Sequence, residues 1–331
     1  MDWEMRKNKL AELLDRLRRS DGCFDCLVPV SGGKDGSYVA YQLKHLFGMN
    51  PLCITVTPAL PLALGEANLK AFVASGYNHI SVNVADHQMR LLNKHGFIEM
   101  GFPYYGWLIA IHTVPIRMAL QMQIGAIFYG EDGEVEYGGS VETAENPIYG
   151  VDYMKRVYLE KGYDKVISEA GLDMKDSFFF GFPENDELAN SLKITHWSYY
   201  ENWDPYRNYL VAKKHCGLQE AEINNAGTFT NFAQNDQALY ALHTYLMYLK
   251  FGFGRANQDA CIEVRRGAMD RAQAVNLVRL YDGMFPEEFL PTYLDYYQMN
   301  RGEFETVLDR WANRALFEKI GGRWKPRFTV S

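Results

Sequence analysis

A short apolar run that ends in a glycine-rich turn is the feature that most constrains the fold of this chain. Residues 24–30 read FDCLVPV, residues 31–37 read SGGKDGS, and a helix-like segment follows over residues 37–47. Glycines let the backbone approach an anion, and the first N–H groups of a helix attract negative charge. The order of strand, turn and helix therefore predicts a phosphate-binding loop at the carboxyl edge of a sheet.

Strands and helices alternate along the first part of the sequence. Further strand-like runs occupy residues 51–57, 79–84 and 126–132, with helical patterns at residues 66–74 and over a long stretch before residue 126. This alternation favours an α/β fold, in which a parallel sheet has helices on both faces.

From about residue 152 the pattern changes to aromatic-rich segments and helices. Helices are predicted at residues 194–200, 206–214, 236–251, 271–281 and 303–317. We expect a phosphate-loop domain over residues 1–200 and a mainly helical region over residues 201–331, which serves substrate binding or oligomerisation.

Charge and cysteine usage narrow the class of protein. A net charge of −7 argues against a chain that holds a nucleic acid backbone, because such a chain needs a basic face. The first 20 residues mix charges with leucines at helical spacing, which predicts a surface helix and not a signal peptide or membrane span. Five scattered cysteines fit a reducing compartment. We therefore expect a cytoplasmic protein without a nucleic acid partner or membrane span.

The glycine-rich loop is neither a Walker A nor a GxGxxG sequence, because Lys34 lacks the required glycine spacing and Asp35 follows it. It resembles the PP-loop, the SGGxDS signature of the N-type ATP pyrophosphatases, which include GMP synthetase, NAD synthetase and asparagine synthetase. The resemblance implies a Rossmann-like fold of the adenine nucleotide alpha hydrolase type. It also implies that ATP is cleaved between the α and β phosphates, leaving AMP on a substrate oxygen.

The same resemblance implies roles for the loop residues. Ser31, Gly32 and Gly33 would cradle the pyrophosphate, and Asp35 would help to hold its magnesium ion, since Mg²⁺ prefers carboxylate and phosphate oxygens. Lys34 and Asp35 are the catalytic candidates of the loop.

The loop departs from the signature at Gly36, where the family has serine. We expect either that Ser37 supplies the hydroxyl one position later or that this contact is missing. Thr55 and Thr57 end the second predicted strand, where they either lie beside the nucleotide or serve only as strand formers.

Several later segments carry a more specific resemblance. They are GEDGEVEYGG at residues 130–139, GTFTN at residues 227–231 and KFGFGRA at residues 250–256, with Arg265, Arg266 and residues 271–283. Together they resemble the N-acetyl sugar amidotransferases of lipopolysaccharide O-antigen and flagellar glycan synthesis, from the first helix to about Pro286. The resemblance implies an acetamido sugar or sugar acid as substrate, free or nucleotide-linked. It also implies that an adenylate forms on the amide oxygen, and that ammonia displaces AMP to give an acetamidino sugar.

Three basic residues are candidates for the acceptor. Arg255 follows a glycine-rich turn and is suited to bidentate contacts with a carboxylate or phosphate. Arg265 has the same potential or is a surface residue, and Lys250 is either a phosphate contact or a helix-terminal cation.

Polar residues complete the candidate set. Gly130 and Glu131 follow the fourth predicted strand, and we expect Glu131 to contact a metal, a ribose or the substrate. Thr228, Thr230 and Asn231 either bind sugar hydroxyls or cap a helix that starts near residue 236.

No cysteine stands in a glutaminase setting. Residue 2 is Asp2 rather than cysteine, and Cys216 lies beside His215, whose side chain would point elsewhere on a helix. We expect ammonia from solution or from a partner. The resemblance implies a separate glutaminase and a barrel-shaped companion similar to imidazole glycerol phosphate synthase.

Other readings remain open. The pair Cys23 and Cys26 is predicted to be core, and the zinc module that often precedes the first helix in the family is expected to be absent. In a tRNA thiolation enzyme with the same loop, these cysteines would carry sulfur. A non-catalytic ATP-binding protein is the other alternative. A homodimer through the C-terminal helices is a further expectation.

Overall fold

The computed structural model describes residues 2–130, 146–157, 159, 163–173, 177–183 and 191–331. Strands form at β1 (Cys26–Pro29), β2 (Pro51–Val56), β3 (Asn78–Val82), β4 (Ala126–Tyr129), β5 (Ile148–Tyr149) and β6 (Lys193–His196). They make one sheet in the order β3-β2-β1-β4-β6-β5, in which β5 is antiparallel to β6 and the other neighbours are parallel. The chain reverses its direction of sheet growth between β1 and β4, where open α/β sheets bind their ligands.

The described helices are α1 (Trp3–Leu17), α2 (Lys34–Tyr41), α3 (Ala63–Ala74), α4 (Asp86–Met100), α5 (Tyr105–Gln121), α6 (Val151–Val157), α7 (Tyr163–Glu169), α8 (Pro205–Cys216), α9 (Leu239–Phe251), α10 (Arg255–Arg265), α11 (Arg271–Tyr281), α12 (Leu290–Tyr297) and α13 (Arg301–Trp311). Helix α2 begins earlier than predicted and continues as a π-helical turn over Gln42–Leu46. Within the described residues, no helix has the length and apolar content needed to span a bilayer.

Both faces of the sheet are covered, as predicted. Leu27 belongs to a large apolar cluster with α4 and α5, whereas its neighbours Cys26 and Val28 belong to a second cluster with α1, α2 and α3. This split follows from the alternation of side chains along a strand. The α/β fold class is therefore confirmed.

The prediction of a helix at residues 194–200 was wrong. Ile194 and Thr195 are fully buried in strand β6, which pairs with β4 on one side and β5 on the other. β-branched residues fit such a position well. Only a short 3-10 turn, Trp197–Tyr199, follows the strand.

The C-terminal region is mainly helical, with one departure from the prediction. The helix expected over residues 303–317 ends at Trp311, and a hairpin of β7 (Phe317–Ile320) and β8 (Arg323–Pro326) follows. Its two-residue turn is Gly321-Gly322, and both glycines have positive φ, as tight hairpins require.

The large apolar cluster joins the sheet to this C-terminal region. It contains Leu52 and Ile54 of β2 together with Leu242 of α9 and Tyr297 of α12. The division of the chain at residue 200 stays a prediction.

Candidate functional site

Gly32 lies at the tightest point of the phosphate loop. Its φ is +80°, a region that residues with a Cβ rarely adopt. A Cβ added here would come within 2.5 Å of the backbone nitrogen of Leu69 in α3. The loop backbone therefore packs directly on α3, and the position requires glycine on both counts.

The N-terminus of α2 follows directly on the glycine-rich loop. Gly33 is its N-cap, in an extended conformation and without a side-chain cap, and Ser31 lies beside it. The first N–H groups of such a helix need partners, and phosphate oxygens can serve. The cradle of Ser31, Gly32 and Gly33 stays a prediction.

Gly36 and Gly130 bring two strand ends together. A Cβ at Gly36 would meet the carbonyl oxygen of Pro29 at 2.8 Å, and one at Gly130 would meet the backbone nitrogen of Gly36 at 2.7 Å. The serine of the PP-loop signature therefore has no room at position 36 in this conformation. Ser37 is fully buried and its hydroxyl has no hydrogen-bond partner within the structure, so it does not line the loop surface.

Asp35 lies at the start of α2, and two side chains contact its carboxylate. One carboxylate oxygen pairs with Lys34, and Oδ1 accepts a hydrogen bond from Asn208 Nδ2 at 3.0 Å. Asp35 keeps 15% of its side-chain surface exposed. A positioned and partly exposed carboxylate at a phosphate loop suits Mg²⁺, which takes one or two carboxylates together with phosphate oxygens. In the described residues, no group of three or more His, Cys, Asp or Glu side chains could hold a metal by itself.

The two threonines at the end of the second strand have local partners. Thr55 is buried, and its hydroxyl donates to the carbonyl of Val30 at 2.5 Å and lies 2.8 Å from His79 Nε2. Thr57 lies just after β2, with its hydroxyl 3.3 Å from that of Ser81. The contacts of Thr55 fix the end of β1, which is a structural role beside the loop.

A small pocket joins the phosphate loop to the helical region, and we call it the Lys34–Arg255 pocket. Its lining includes Lys34, Tyr206, Thr230, Arg255, Asp259 and Glu263. Residues that lie more than 200 positions apart in sequence therefore meet at one place.

Asp259 organises one wall of this pocket. Its Oδ1 lies 2.8 Å from Arg255 Nε, and its Oδ2 accepts from the hydroxyls of Thr228 at 2.6 Å and Thr230 at 3.4 Å. Both threonines are buried. The predicted set of Thr228, Thr230 and Arg255 is thus brought together by a carboxylate on the next turn of α10.

A second ion-pair chain begins one turn further along α10, at Glu263. Arg266 lies between Glu263 at 2.5 Å and Asp204 at 2.8 Å, and Asp204 caps the N-terminus of α8. Burial raises the pKa of Glu263, which Arg266 opposes. The charges on the pocket walls are largely balanced within the protein.

The C-terminal third of the chain matches a described family. Residues 226–328 match the family model of the C-terminal domain of WbpG-like LPS biosynthesis proteins. We call this segment the WbpG-like domain, after the family to which it is similar. The match confirms the expected relation to lipopolysaccharide biosynthesis proteins over these residues, which include Thr228, Thr230, Arg255 and Asp259.

Other comparisons cover smaller or more distant likenesses. An uncharacterized protein of Methanocaldococcus jannaschii is 36% identical over 55 residues, which are 17% of this chain and 20% of that protein. The match thus spans about a fifth of the relative's length.

Two solved structures are distant from this one. The U34-tRNA thiolase NcsA from Methanococcus maripaludis, solved with its 4Fe-4S cluster, is 12% identical at a TM-score of 0.37, covering 97% of this chain and 84% of that chain. A predicted subunit of tRNA methyltransferase from Methanocaldococcus jannaschii is 14% identical at a TM-score of 0.29, covering 67% and 85%. Likenesses at this level carry no functional weight.

Three predicted residues of the WbpG-like domain lie outside the pocket lining. Lys250 donates to the carbonyl of Met100 at 3.0 Å, at the C-terminus of α4, so it contacts the end of a different helix from its own, α9. Arg265 is exposed at the end of α10. Asn231 donates to the carbonyl of Ala221 at 2.7 Å within the loop before α9.

The alternative reading of the GTFTN segment as a helix cap is not supported, because α9 begins at Leu239 with Ala238 as its N-cap. Glu131, predicted to contact a ligand, lies outside the described residues.

The cysteines do not form a common site. Cys26 is fully buried in β1, where burial raises its pKa well above the ordinary value, whereas Cys23 is exposed in the preceding loop. The prediction of a core residue was therefore right for Cys26 and wrong for Cys23. Burial also raises the pKa of Cys216 to about 11, while His215 stacks on Tyr41.

Asp282 is a half-buried carboxylate of the WbpG-like domain that the sequence did not single out. It accepts a hydrogen bond from the backbone N–H of Gly254 at 2.8 Å, and burial raises its pKa to about 6. With a raised pKa, its contribution to stability is full below about pH 4 and is lost as the pH rises through 6.

The free energy of unfolding is expected to fall from pH 4 to pH 7 in the wild type. In Asp282→Asn we expect this fall to be smaller by about 1 to 2 kcal/mol, because the amide stays neutral. Urea titrations at both pH values measure this difference. An unchanged pH dependence in the variant would contradict the role given to Asp282.

Sequence reasoning missed Asn208, Asp259 and Glu263. Asp259 stands four residues after Arg255 on the same helix, so the spacing of an ion pair was present in the sequence. Asn208 meets Asp35 only through the fold.

Proposed function

We propose that this chain is an ATP-using enzyme of the PP-loop type, which adenylates the acetamido carbonyl of an N-acetyl sugar or sugar acid and lets ammonia replace AMP. The observation that carries this proposal is the Lys34–Arg255 pocket, where Lys34 of the phosphate loop lines the same space as Thr230 and Arg255 of the WbpG-like domain. A substrate group in this pocket would lie beside a nucleotide on the loop, as a displacement reaction requires.

The reaction solves a chemical difficulty. An amide carbonyl is a poor electrophile, and its oxygen is a poor leaving group. Attack of the amide oxygen on the α phosphorus of ATP forms an O–P bond, breaks the bond to the β-phosphate and releases pyrophosphate. Ammonia then adds to the activated carbon, AMP leaves with the oxygen, and a proton is lost to give the amidine.

The residues of the site divide these tasks. Ser31, Gly32 and Gly33 would bind the pyrophosphate portion of ATP through the loop and the N-terminus of α2. Asp35 would hold the magnesium ion, which neutralises charge on the leaving group. Lys34 would contact phosphate oxygens from the pocket side, and Arg255, oriented by Asp259, would bind an anionic group of the acceptor.

The source of ammonia is part of the same proposal. Burial and the raised pKa of Cys216 make it a poor nucleophile, which supports delivery of ammonia from elsewhere. We propose a separate glutaminase with a barrel-shaped companion as the partner, a cytoplasmic location, and a homodimer through the C-terminal helices.

The first test measures pyrophosphate release from Mg·ATP and ammonium over a panel of free and UDP-linked acetamido sugars. We expect release that depends on one sugar, with an amidine product that is one mass unit lighter than the substrate. Release with unmodified tRNA and with no sugar would favour thiolation instead. Nucleotide binding without release under any condition would favour a non-catalytic ATP-binding protein.

A further inference from the structure

Asn208 of α8 contacts the start of α2, beside the phosphate loop. The side chain is fully buried, and its Nδ2 donates to Asp35 Oδ1 at 3.0 Å. Its own Oδ1 accepts from Arg207 Nη2 at 3.3 Å, which fixes the orientation of the amide. The amide therefore presents its donor side to Asp35.

This contact decides how the Asp35 carboxylate is shared. Lys34 pairs with the other oxygen, Oδ2. The attraction between the Asp35 carboxylate and Lys34 favours turning the carboxylate towards that cation, because a shorter ion pair is stronger. The hydrogen bond from Asn208 opposes this turn and keeps Oδ1 on the side of Asp35 away from Lys34.

The helix that carries Asn208 also forms part of the Lys34–Arg255 pocket. Pro205 and Tyr206 in the first turn of α8 line the pocket, and Asp204 at its N-cap pairs with Arg266 at 2.8 Å. One helix thus contacts the Asp35 carboxylate and the pocket wall together.

We propose that Asn208 is a positioning residue, which holds the Asp35 carboxylate in the orientation that binds magnesium together with the nucleotide. This inference rests on the proposed use of Mg·ATP at the loop. Partners that orient a metal-binding carboxylate commonly contribute about 10-fold to 100-fold in metal affinity.

The test is a binding measurement with α,β-methylene-ATP, an ATP analogue that cannot be cleaved between the α and β phosphates. Calorimetric titrations are made with and without Mg²⁺ on the wild-type chain and on Asn208→Ala. We expect Mg²⁺ to tighten binding to the wild type, and we expect the variant to lose about 10-fold of that gain. Binding without Mg²⁺ is expected to change by less than about three-fold, because the glycine cradle is untouched.

Two further variants separate positioning from folding. Asn208→Ser keeps a shorter donor and is expected to recover part of the magnesium effect, while Lys214→Ala changes an exposed residue on the same helix and leaves it intact. Equal magnesium gains in the wild type and Asn208→Ala would overturn the positioning role while leaving the proposed function standing. An equal loss of binding with and without Mg²⁺ would also overturn it, since that result indicates a purely structural contact. No binding to the wild type would overturn both.

Discussion

Asp35→Asn is expected to lower acceptor-dependent pyrophosphate release by about 100-fold or more, because it removes the negative charge that would hold magnesium at the leaving group. The amide has nearly the same shape as the carboxylate and can still accept from Asn208. In the variant, Lys34 loses its carboxylate partner. The pyrophosphate is then neutralised by Lys34 alone, whereas in the wild type it is neutralised by Lys34 and the magnesium ion. Steady-state rates over a range of Mg²⁺ concentrations measure the loss of rate and the change in the Mg²⁺ concentration that gives the half-maximal rate.

The matched control is Asp295→Asn, which makes the same substitution at an exposed position on α12. We expect this variant to keep the wild-type rate within about two-fold, because surface substitutions away from the site have small effects. If Asp35→Asn retained the wild-type rate and magnesium dependence, Asp35 would have no part in holding the metal, and the proposed mechanism would need another carboxylate.

The parts of the fold that could be predicted are those with local causes. The run at residues 24–30 must be buried, and the glycines after it permit only a tight turn, so β1, the loop and α2 followed directly. The same reasoning fails at residues 193–196. A short segment with one aliphatic residue and aromatic neighbours does not distinguish a buried strand from a helix, and only pairing with β4 makes it strand β6.

The sequence predicted the two parts of the candidate site, the phosphate loop and the segment with Thr230 and Arg255, but not the contacts that join them. The glycine-rich loop and the pair Thr230 and Arg255 each stood out in the sequence, and the fold then places Lys34 of the loop in one pocket with that pair. Asn208 lies 173 residues from Asp35 and has no local motif, since an asparagine on a helix is usually a solvated side chain. Contacts of this kind depend on how α8 packs on α2, which no spacing in the sequence encodes.

Gly32→Ala is expected to lower the free energy of unfolding by about 2 to 5 kcal/mol, through two separate costs. A positive φ disfavours any residue with a Cβ by about 1 to 2 kcal/mol. Overlap with a neighbouring backbone adds about 1 to 3 kcal/mol, and here the new methyl group would lie 2.5 Å from the nitrogen of Leu69. Backbone cannot turn aside as a flexible side chain does, so the loop must move away from α3.

Gly22→Ala separates these two costs, because Gly22 has the same φ of +80° but no heavy atom within 4 Å of the added methyl group. We expect it to cost only the conformational part, about 1 to 2 kcal/mol, in the same urea titrations. The difference between the two variants then measures how closely the loop is held against α3. Equal losses of unfolding free energy in the two variants would mean that the loop moves away from α3 at little cost. Such a loop cannot present a preformed cradle to a pyrophosphate. A large difference would mean that the helix behind the loop fixes the cradle before the nucleotide arrives.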